Sequence, residues 1–462
     1  MKQFNCFFNC SCNSHRIYQY YAAFAANLYL VCNAMNYGWP SPSLPILLSG
    51  NHTFRITSYE GSWIAVMPSI GKVFGIIFAG LIVDYIGRKK LLLYTSIPFF
   101  VSWLMVGFTR TSSLMFIGRF IAGLSDGSFS VIPMYLAEIS EPKIRGLLTS
   151  FCSVNVAVGH LLINVIGSNL PISTTAFVSS TFPLAFFLLF MWLPESPYFY
   201  LMKGNEKAAK RSLQKFRESS EVDAYFDLIS KGVKEQNENR GKFLDLFTDQ
   251  FNRKALIIVV GLKTIQQLSG NIAIMFYCQI IFVESKDFVS PGLASSLYFL
   301  IKVIVTSVSS FIVDSTGRRP LLFMSTTGSA LSLFSISAFM YVKNSTNLDT
   351  TDFEFVPVAS LIVFAVFFSL GLQTIPVVMA GEMFPTNIKA FALALDDIYF
   401  CVISTLVSTF FYWSDETFGM SIPFLAFGIF CVLGLMFIYF FVPETKKKSL
   451  EDIQRMLKGE KL

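Results

Sequence analysis

Twelve apolar runs limit what this chain can become. They lie near 19–39, 62–83, 91–108, 113–134, 147–169 and 173–193, and, after a polar gap, near 255–282, 292–313, 320–342, 356–379, 391–412 and 421–442. Each has the roughly 20 residues that cross about 30 Å of hydrocarbon. Hydrocarbon offers backbone N–H and C=O groups no partner, so runs of this length must satisfy themselves as helices. The expected fold class is an all-α membrane protein with twelve transmembrane helices. Charged residues make up only 14% of the chain, against roughly a quarter in soluble domains, and a water-soluble protein is excluded.

Lysine and arginine are retained on the cytoplasmic side of a membrane, so their distribution sets the orientation. Roughly 28 of the 36 lie in the N-terminal tail, the even-to-odd loops, the central loop and the C-terminal tail. A multi-pass protein of the cell membrane with both termini cytoplasmic is expected. The division is a cytoplasmic tail over 1–18, a six-helix half over 19–193, a cytoplasmic loop over 194–254, a second six-helix half over 255–442 and a cytoplasmic tail over 443–462. The sequons at Asn51 and Asn344 then face outward and are the expected glycosylation sites, while the one at Asn9 faces inward. The first run is too long for a cleaved leader and is read as a spanning helix.

Cys32, Cys152, Cys278, Cys401 and Cys431 fall inside apolar runs, where a reduced thiol is the ordinary state. Cys6, Cys10 and Cys12 cluster in the leading segment and read as unused thiols, with palmitoylation or metal binding as alternatives. With only His15, His52 and His160, a His-based metal centre is not expected. No Walker-type loop points to ATP, and no interleaved basic and aromatic run points to nucleic acid. The expected partners are the bilayer and a small solute, with no metal, cofactor or nucleic acid. No exposed segment reads as a coiled coil, so a monomer is expected.

Self-comparison reveals a duplication. Gly80-x-x-x-Asp84-x-x-Gly87-Arg88-Lys89 closes the second run, and Asp314-x-x-Gly317-Arg318-Arg319 closes the eighth. Glu138 and Arg145 follow the fourth run seven residues apart, and Glu382 and Lys389 follow the tenth at the same spacing. Pro194-Glu195-Ser196-Pro197 ends the sixth run and Pro443-Glu444-Thr445 ends the twelfth. Marks that recur in one order describe two pseudo-symmetric halves, the layout of a secondary transporter with its solute site near the midplane. Asp84, Arg88, Glu138 and Arg145, and again Asp314, Arg318, Glu382 and Lys389, can form charge-assisted clamps that gate one face. A solvated basic loop is the plainer reading of any single copy.

These residues resemble the sugar porters of the major facilitator superfamily, and within them the insect facilitated trehalose transporters. The resemblance covers nearly the whole chain. It rests on Gly80 to Lys89, Gly118-Arg119, Pro133 to Glu138, Pro194 to Pro197, Gln266-Gln267-Leu268-Ser269-Gly270 and Pro443 to Lys446. Gly38-Trp39-Pro40-Ser41-Pro42 and Glu60-Gly61-Ser62-Trp63 look like the insect branch. The resemblance implies the major facilitator fold, alternating access, and facilitative uniport of a sugar such as trehalose or glucose. It also implies that Gln266, Gln267, Asn271 and Tyr277 bind the solute, amides pairing with hydroxyls and a ring lying against C–H surface. Uniport is favoured because proton-coupled relatives commonly carry a first-helix carboxylate, whereas 19–39 holds Asn27, Asn33 and Asn36 but neither Asp nor Glu; proton coupling through Asp126, Asp396 or Asp397 is the alternative.

Several positions depart from the family. Ser153 stands in place of a fifth-helix glutamine, and Asn271-Ile272 reverses the usual Ile-Asn. Gln373-Thr374 replaces Gly-Pro and Val377 replaces tryptophan, so a hinge and an aromatic platform are expected to be missing. Lys72, Lys263, Lys302, Asp126, Asp396 and Asp397 lie inside apolar runs, where each costs about 2.5 to 3.5 kcal/mol if unpaired. By analogy with the superfamily, Lys72 is expected to meet Asp396 or Asp397 across the halves. All six can be register-fixing ion pairs; alternatively Lys302 or Lys263 faces the cavity and favours an anionic or otherwise atypical solute. A non-cycling nutrient receptor is a further alternative, disfavoured by the short 443–462 tail. No nucleophile, base and oxyanion set suggests an enzyme.

Overall fold

The structure is a computed structural model that describes residues 14–50, 54–238, 241–346, 348–446, 448, 452–453 and 455–456. Cys6, Cys10, Cys12, Asn9, Asn51 and the side chain of Asp314 lie outside the described set. All regular structure among the described residues is helical. Ten helices are long and apolar enough to cross a membrane: Ser58–Ile86, Arg88–Phe108, Ser112–Ile139, Ile144–Asn169, Ile172–Phe190, Pro291–Val313, Arg318–Ser345, Thr351–Met383, Asn387–Phe418 and Ser421–Phe441. They are spans two to six and eight to twelve. The first span, Ser14–Gly38 continued by Pro40–Leu48, and the seventh, Gln250–Leu268 continued by Asn271–Phe276 and Cys278–Val283, complete the twelve. These two are the least apolar because they carry the buried polar side chains Gln19, Asn27, Asn33 and Asn36, and Lys263, Gln266 and Gln267. Leu81, Trp192 and Phe440, each about two-thirds exposed or more, show what the outer surface of the bundle is made of.

Within the first half the first span packs on the fifth, the second on the fourth and the third on the sixth; in the second half the ninth packs on both the tenth and the twelfth. The halves meet where the fifth span lies on the eighth and the second on the eleventh. Near the far end from the clamps, Asn164 Nδ2 donates to Ser295 Oγ at 2.9 Å, and Gln279 Nε2 donates to Ser168 Oγ at 2.6 Å. Deeper in, Ser404 Oγ donates to Ser69 Oγ at 3.4 Å.

The ends of the spans follow ordinary capping chemistry. Thr57 and Glu60 form a reciprocal capping box at the second span, with Glu60 N donating to Thr57 Oγ1 at 3.1 Å and Thr57 N to Glu60 Oε2 at 2.9 Å. Pro142 and Pro291 open their helices where a backbone donor would be unpaired anyway. The duplicated turns are held by glycine: Gly87 has φ of 97° and Gly317 of 103°, a region that disfavours any Cβ. The polar stretch between the halves forms the short helices Pro197–Met202, Glu206–Phe216 and Ser219–Glu238, packed on one another through Ala209, Leu213, Val222 and Phe226. They are tied to the first half at Glu141, which receives Gln19 Nε2 at 3.2 Å and lies 3.5 Å from Arg16 and 4.0 Å from Arg217.

The second and fourth spans approach more closely than side chains allow. Gly71 and Gly75 on one face Gly123 and Gly127 on the other, and a Cβ at any of the four would overlap the opposing backbone. Two small-x-x-x-small faces thus bring helix axes together, gaining dispersion and weak C–H contacts where lipid supplies no hydrophobic drive. The contrast among glycines is testable. Gly75→Leu or Gly127→Val is expected to cut surface-expressed protein at least about tenfold. Gly80→Ala and Gly146→Ala, where an added Cβ meets nothing within 4 Å, leave expression unchanged in the same assay.

Candidate solute site and clamps

Three spans unwind part-way along their length: the seventh, and the fourth and tenth at pseudo-equivalent places. The first keeps its helical bonding through Trp39, whose N–H donates to Met35 O at 3.0 Å and whose carbonyl receives Ser43 N at 3.3 Å, whereas the seventh breaks after Leu268, where Gly270 adopts φ of 78°. The fourth divides into Ser112–Asp126 and Val131–Ile139, and the tenth into Val356–Leu370 and Ile375–Met383. The expectation that the tenth span lacks a hinge is therefore corrected: it unwinds at Gly371 to Thr374 without the Gly-Pro pair. Gly371 allows this because a Cβ there would crowd Leu321 O and Ser325 Cβ, both at 2.7 Å. Val377, 56% exposed, faces outward and offers no platform to the interior.

Unwound backbone needs partners, and Gln266 supplies them. Its Nε2 donates to Leu372 O at 2.6 Å and to Gln373 O at 3.2 Å, joining the breaks of the seventh and tenth spans. Gln267 Nε2 reaches Gln266 Oε1 at 3.4 Å, which leaves Gln267 Oε1 buried without a partner. Gln373 Oε1 and Thr374 Oγ1 are in the same position. Asn271 Oδ1 accepts from Lys302 Nζ at 3.0 Å, so the shifted asparagine lies against the eighth span. Tyr277 stands apart, its ring stacked on Phe411 at 5.2 Å. Ser153 is half-buried in the fifth span and makes no described side-chain hydrogen bond. The structure thus groups Gln266, Gln267 and Gln373, and separately Asn271 and Lys302, without joining Ser153 or Tyr277 to either group. Gln373 and Thr374 escaped the sequence reading, which treated them only as losses.

The midspan charges pair differently from expectation. Lys72 Nζ lies 3.1 Å from Asp126 Oδ2, and Lys263 Nζ lies 3.1 Å from Asp396 Oδ2. The expected contact of Lys72 with Asp396 or Asp397 across the halves is corrected to a pair within the first half. The reason is local, since Lys72 follows Gly71 and Asp126 precedes Gly127, so the glycine contact carries the two charges together. Phe400 sits between the pairs, its ring centroid 5.6 Å from Lys72 Nζ and 5.7 Å from Lys263 Nζ. Asp397 is half-buried and Lys302 fully buried, and neither has an ion-pair partner among the described residues.

At the opposite face the two clamps are closed. Arg88, 1% exposed, donates to Glu138 at 3.3 Å and to Asp84 at 3.1 Å. Asp84 is more than half exposed, so the Glu138 contact carries most of the interaction. Arg318 Nη2 donates to Glu382 Oε1 at 2.7 Å. Arg145 turns away to donate to the Tyr225 hydroxyl at 3.0 Å, and Lys389 makes no described ion pair. Each clamp joins spans of a single half. Two carboxylates that the sequence reading gave no role complete them. Glu195 receives Lys89 N on both oxygens at 3.0 Å; Glu444 receives Arg318 N at 3.0 Å and Arg319 N at 2.9 Å. A carboxylate at the end of the sixth or twelfth span therefore caps the N-terminus of the third or ninth, where free N–H groups and the helix dipole favour an anion. Partial burial opposes ionisation of Glu444, yet the N–H groups of Arg318, Lys446 and Arg319 hold its pKa below the usual carboxylate range. Thr445 Oγ1 also donates to Glu382 Oε2 at 2.6 Å. The signal for these roles was the recurring Pro-Glu-Ser/Thr itself.

Lys72→Met alone leaves Asp126 buried without a counter-charge and is expected to destabilise by about 3 to 5 kcal/mol. The double variant Lys72→Met/Asp126→Leu restores much of that loss. Thermal unfolding of detergent-solubilised protein, followed by monodispersity, reads both. Equal loss in the single and double variants would show that the pair contributes nothing.

Known proteins share this architecture and sequence. The family model described as Sugar (and other) transporter matches residues 3–457. A facilitated trehalose transporter of Culex quinquefasciatus is 33% identical over 96% of this chain and 86% of that protein, and one of Polypedilum vanderplanki is 31% identical over 96% and 88%. The chain spans only 55% of the Aedes aegypti relative, at 32% identity over 96% of this chain. In fold it is similar to the xylose transporter XylE from E. coli in a partially occluded inward-open conformation, with a TM-score of 0.77 at 20% identity over 92% of this chain and all of that one. Two duplicated six-helix halves, broken spans at their interface and a match over almost the whole sequence lead to one conclusion: the chain belongs to the sugar transporter family and has the major facilitator fold.

Proposed function

We propose that the chain carries a sugar across the cell membrane by facilitated diffusion, its two halves rocking about a midplane site. The observation that carries this reading is the set of buried polar atoms without partners at the seventh and tenth breaks: Gln267 Oε1, Gln373 Oε1 and Thr374 Oγ1. A buried acceptor left unpaired costs about 1 to 3 kcal/mol, and a polyhydroxylated solute supplies the missing donors. The relatives' names point to trehalose; glucose is the simpler test solute.

The first span supports uniport. Arg119, 1% exposed, is met there by the Asn36 side-chain oxygen and the Asn36 carbonyl, and in the second span by Ile64 O at 3.3 Å. A neutral amide in that place has no proton to exchange with the solute cycle. The clamps at Arg88 with Glu138 and at Arg318 with Glu382 hold the shape of each half at the gating face, which the positive-inside distribution assigns to the cytoplasm together with both termini and the 194–254 segment. Asn51 and Asn344 are the glycosylation sites on the other face, and a single chain is the working unit.

Uptake of labelled trehalose and glucose into oocytes, with surface protein quantified, tests the reading. Saturable uptake equal at about pH 5.5 and about pH 7.5 is expected, reduced at least about tenfold by Gln267→Ala. No uptake of any saccharide by protein at the surface would overturn it.

A further inference from the structure

The duplicated halves treat their midspan lysines differently. Lys72 stands twelve residues before Asp84, and Lys302 twelve before Asp314. Asp126 stands twelve before Glu138, but the residue twelve before Glu382 is Leu370. In the first half, lysine and acid meet at 3.1 Å. In the second the acid's place is apolar, and Lys302, 2% exposed, has no carboxylate within ion-pair distance among the described residues. Its Nζ has one hydrogen bond, to Asn271 Oδ1, and lies 5.6 Å and 5.5 Å from the ring centroids of Tyr298 and Phe368. An amide oxygen and two rings stabilise a cation by a few kcal/mol at most and leave its charge unbalanced.

The place of this charge matters as much as its isolation. Asn271 is the first residue beyond the break at Ser269 and Gly270, and it is only half-buried while the next eight residues are buried. Phe368 stands just before the break of the tenth span. His160, from the fifth span and hence from the other half, places its ring 6.1 Å from that of Phe299, three residues before Lys302, and keeps Nδ1 buried without a partner among the described residues. Lys302 thus sits where spans of both halves meet, beside the break of the seventh span.

We propose that the missing anion arrives with the solute: Lys302 reads charge, and the preferred solute is a sugar bearing one carboxylate, of the uronate or aldonate class. The inference rests on the reading of the chain as a sugar carrier. One lysine balances one carboxylate, whereas a phosphate dianion would exchange a surplus positive charge for a surplus negative one. When the carboxylate takes Lys302 Nζ, Asn271 Oδ1 is released to accept a sugar hydroxyl, and Gln267 Oε1 and Gln373 Oε1 accept others.

The test compares labelled glucuronate, glucose and trehalose in oocytes expressing wild type, Lys302→Gln, Lys302→Arg and the exposed-charge control Lys286→Gln at matched surface levels. Wild type is expected to take up glucuronate with a KM at least about tenfold below that for glucose, and glucuronate alone evokes a current because it carries charge. Lys302→Gln loses that current and reverses the preference; Lys302→Arg keeps the preference for the acid, and Lys286→Gln behaves as wild type. Wild type that carries glucose or trehalose but ignores glucuronate, with Lys302→Gln unaltered, overturns this inference and leaves the sugar-carrier reading standing. No uptake of any of the three sinks both. Should Lys302→Gln fail to reach the surface, glucuronate protection of purified wild type against thermal unfolding, with glucose as comparison, decides: equal protection by the two counts against the proposal.

Discussion

A hydrocarbon surround gives a buried charge nothing to rest on, so every ion inside this bundle must be balanced by another protein group or by something that enters. That constraint orders much of the interior. Lys72 has Asp126 and Lys263 has Asp396, whereas Arg119, with no carboxylate partner among the described residues, rests on three neutral oxygens of Asn36 and Ile64. The glycine faces of the second and fourth spans are part of the same solution, since only backbones in near contact bring Lys72 and Asp126 together between two apolar helices. Lys302, fully buried, and Asp397, half-buried, are the exceptions, each without an ion-pair partner among the described residues.

Duplication supplies the means of seeing which features are structural and which are not. Features needed by any six-helix half recur: a positive-φ glycine after the second and eighth spans, an arginine clamped to a glutamate, and a carboxylate from the last span capping the next helix over. Features that differ between halves escape that demand. The paired lysine of the first half and the unpaired one of the second are such features, as is Asp397, fifteen residues after Glu382 where the first half has Ser153 fifteen after Glu138.

Much of this was legible in the sequence, because the signals for spans, halves and clamps are periodic or repeated and do not depend on partners far away. Span positions came from run length, the first-half clamp from Asp84, Arg88 and Glu138 in order. What failed was partner choice. Lys72 was located as a midspan charge, yet its partner depends on how closely two helices approach, and that lay in Gly71, Gly75, Gly123 and Gly127, which run length does not weigh. The tenth span looked unhinged because Gly-Pro was absent, but the glutamine amide of Gln266 can stabilise unwound carbonyls of Leu372 and Gln373 without a proline. Arg145 was assigned to a clamp by spacing alone, and spacing does not foresee that Tyr225, on a helix between the halves, claims its guanidinium.

The distribution of polar contacts carries the argument one step further. Every described ion pair lies within one half, within the helices between the halves, or ties those helices to a half. The described hydrogen bonds between the halves are neutral: Asn164 with Ser295 and Ser296, Gln279 with Asn164 and Ser168, and Ser404 with Ser69. Such bonds in a membrane average about 0.6 kcal/mol each, whereas breaking a buried ion pair costs about 3 to 5 kcal/mol. A carrier that rocks must open one set of contacts in every cycle and keep the other intact. Charges therefore stiffen the bodies that move, and neutral amides and hydroxyls join them, so a solute that gains only a few kcal/mol from the site can still tip the balance between the two arrangements.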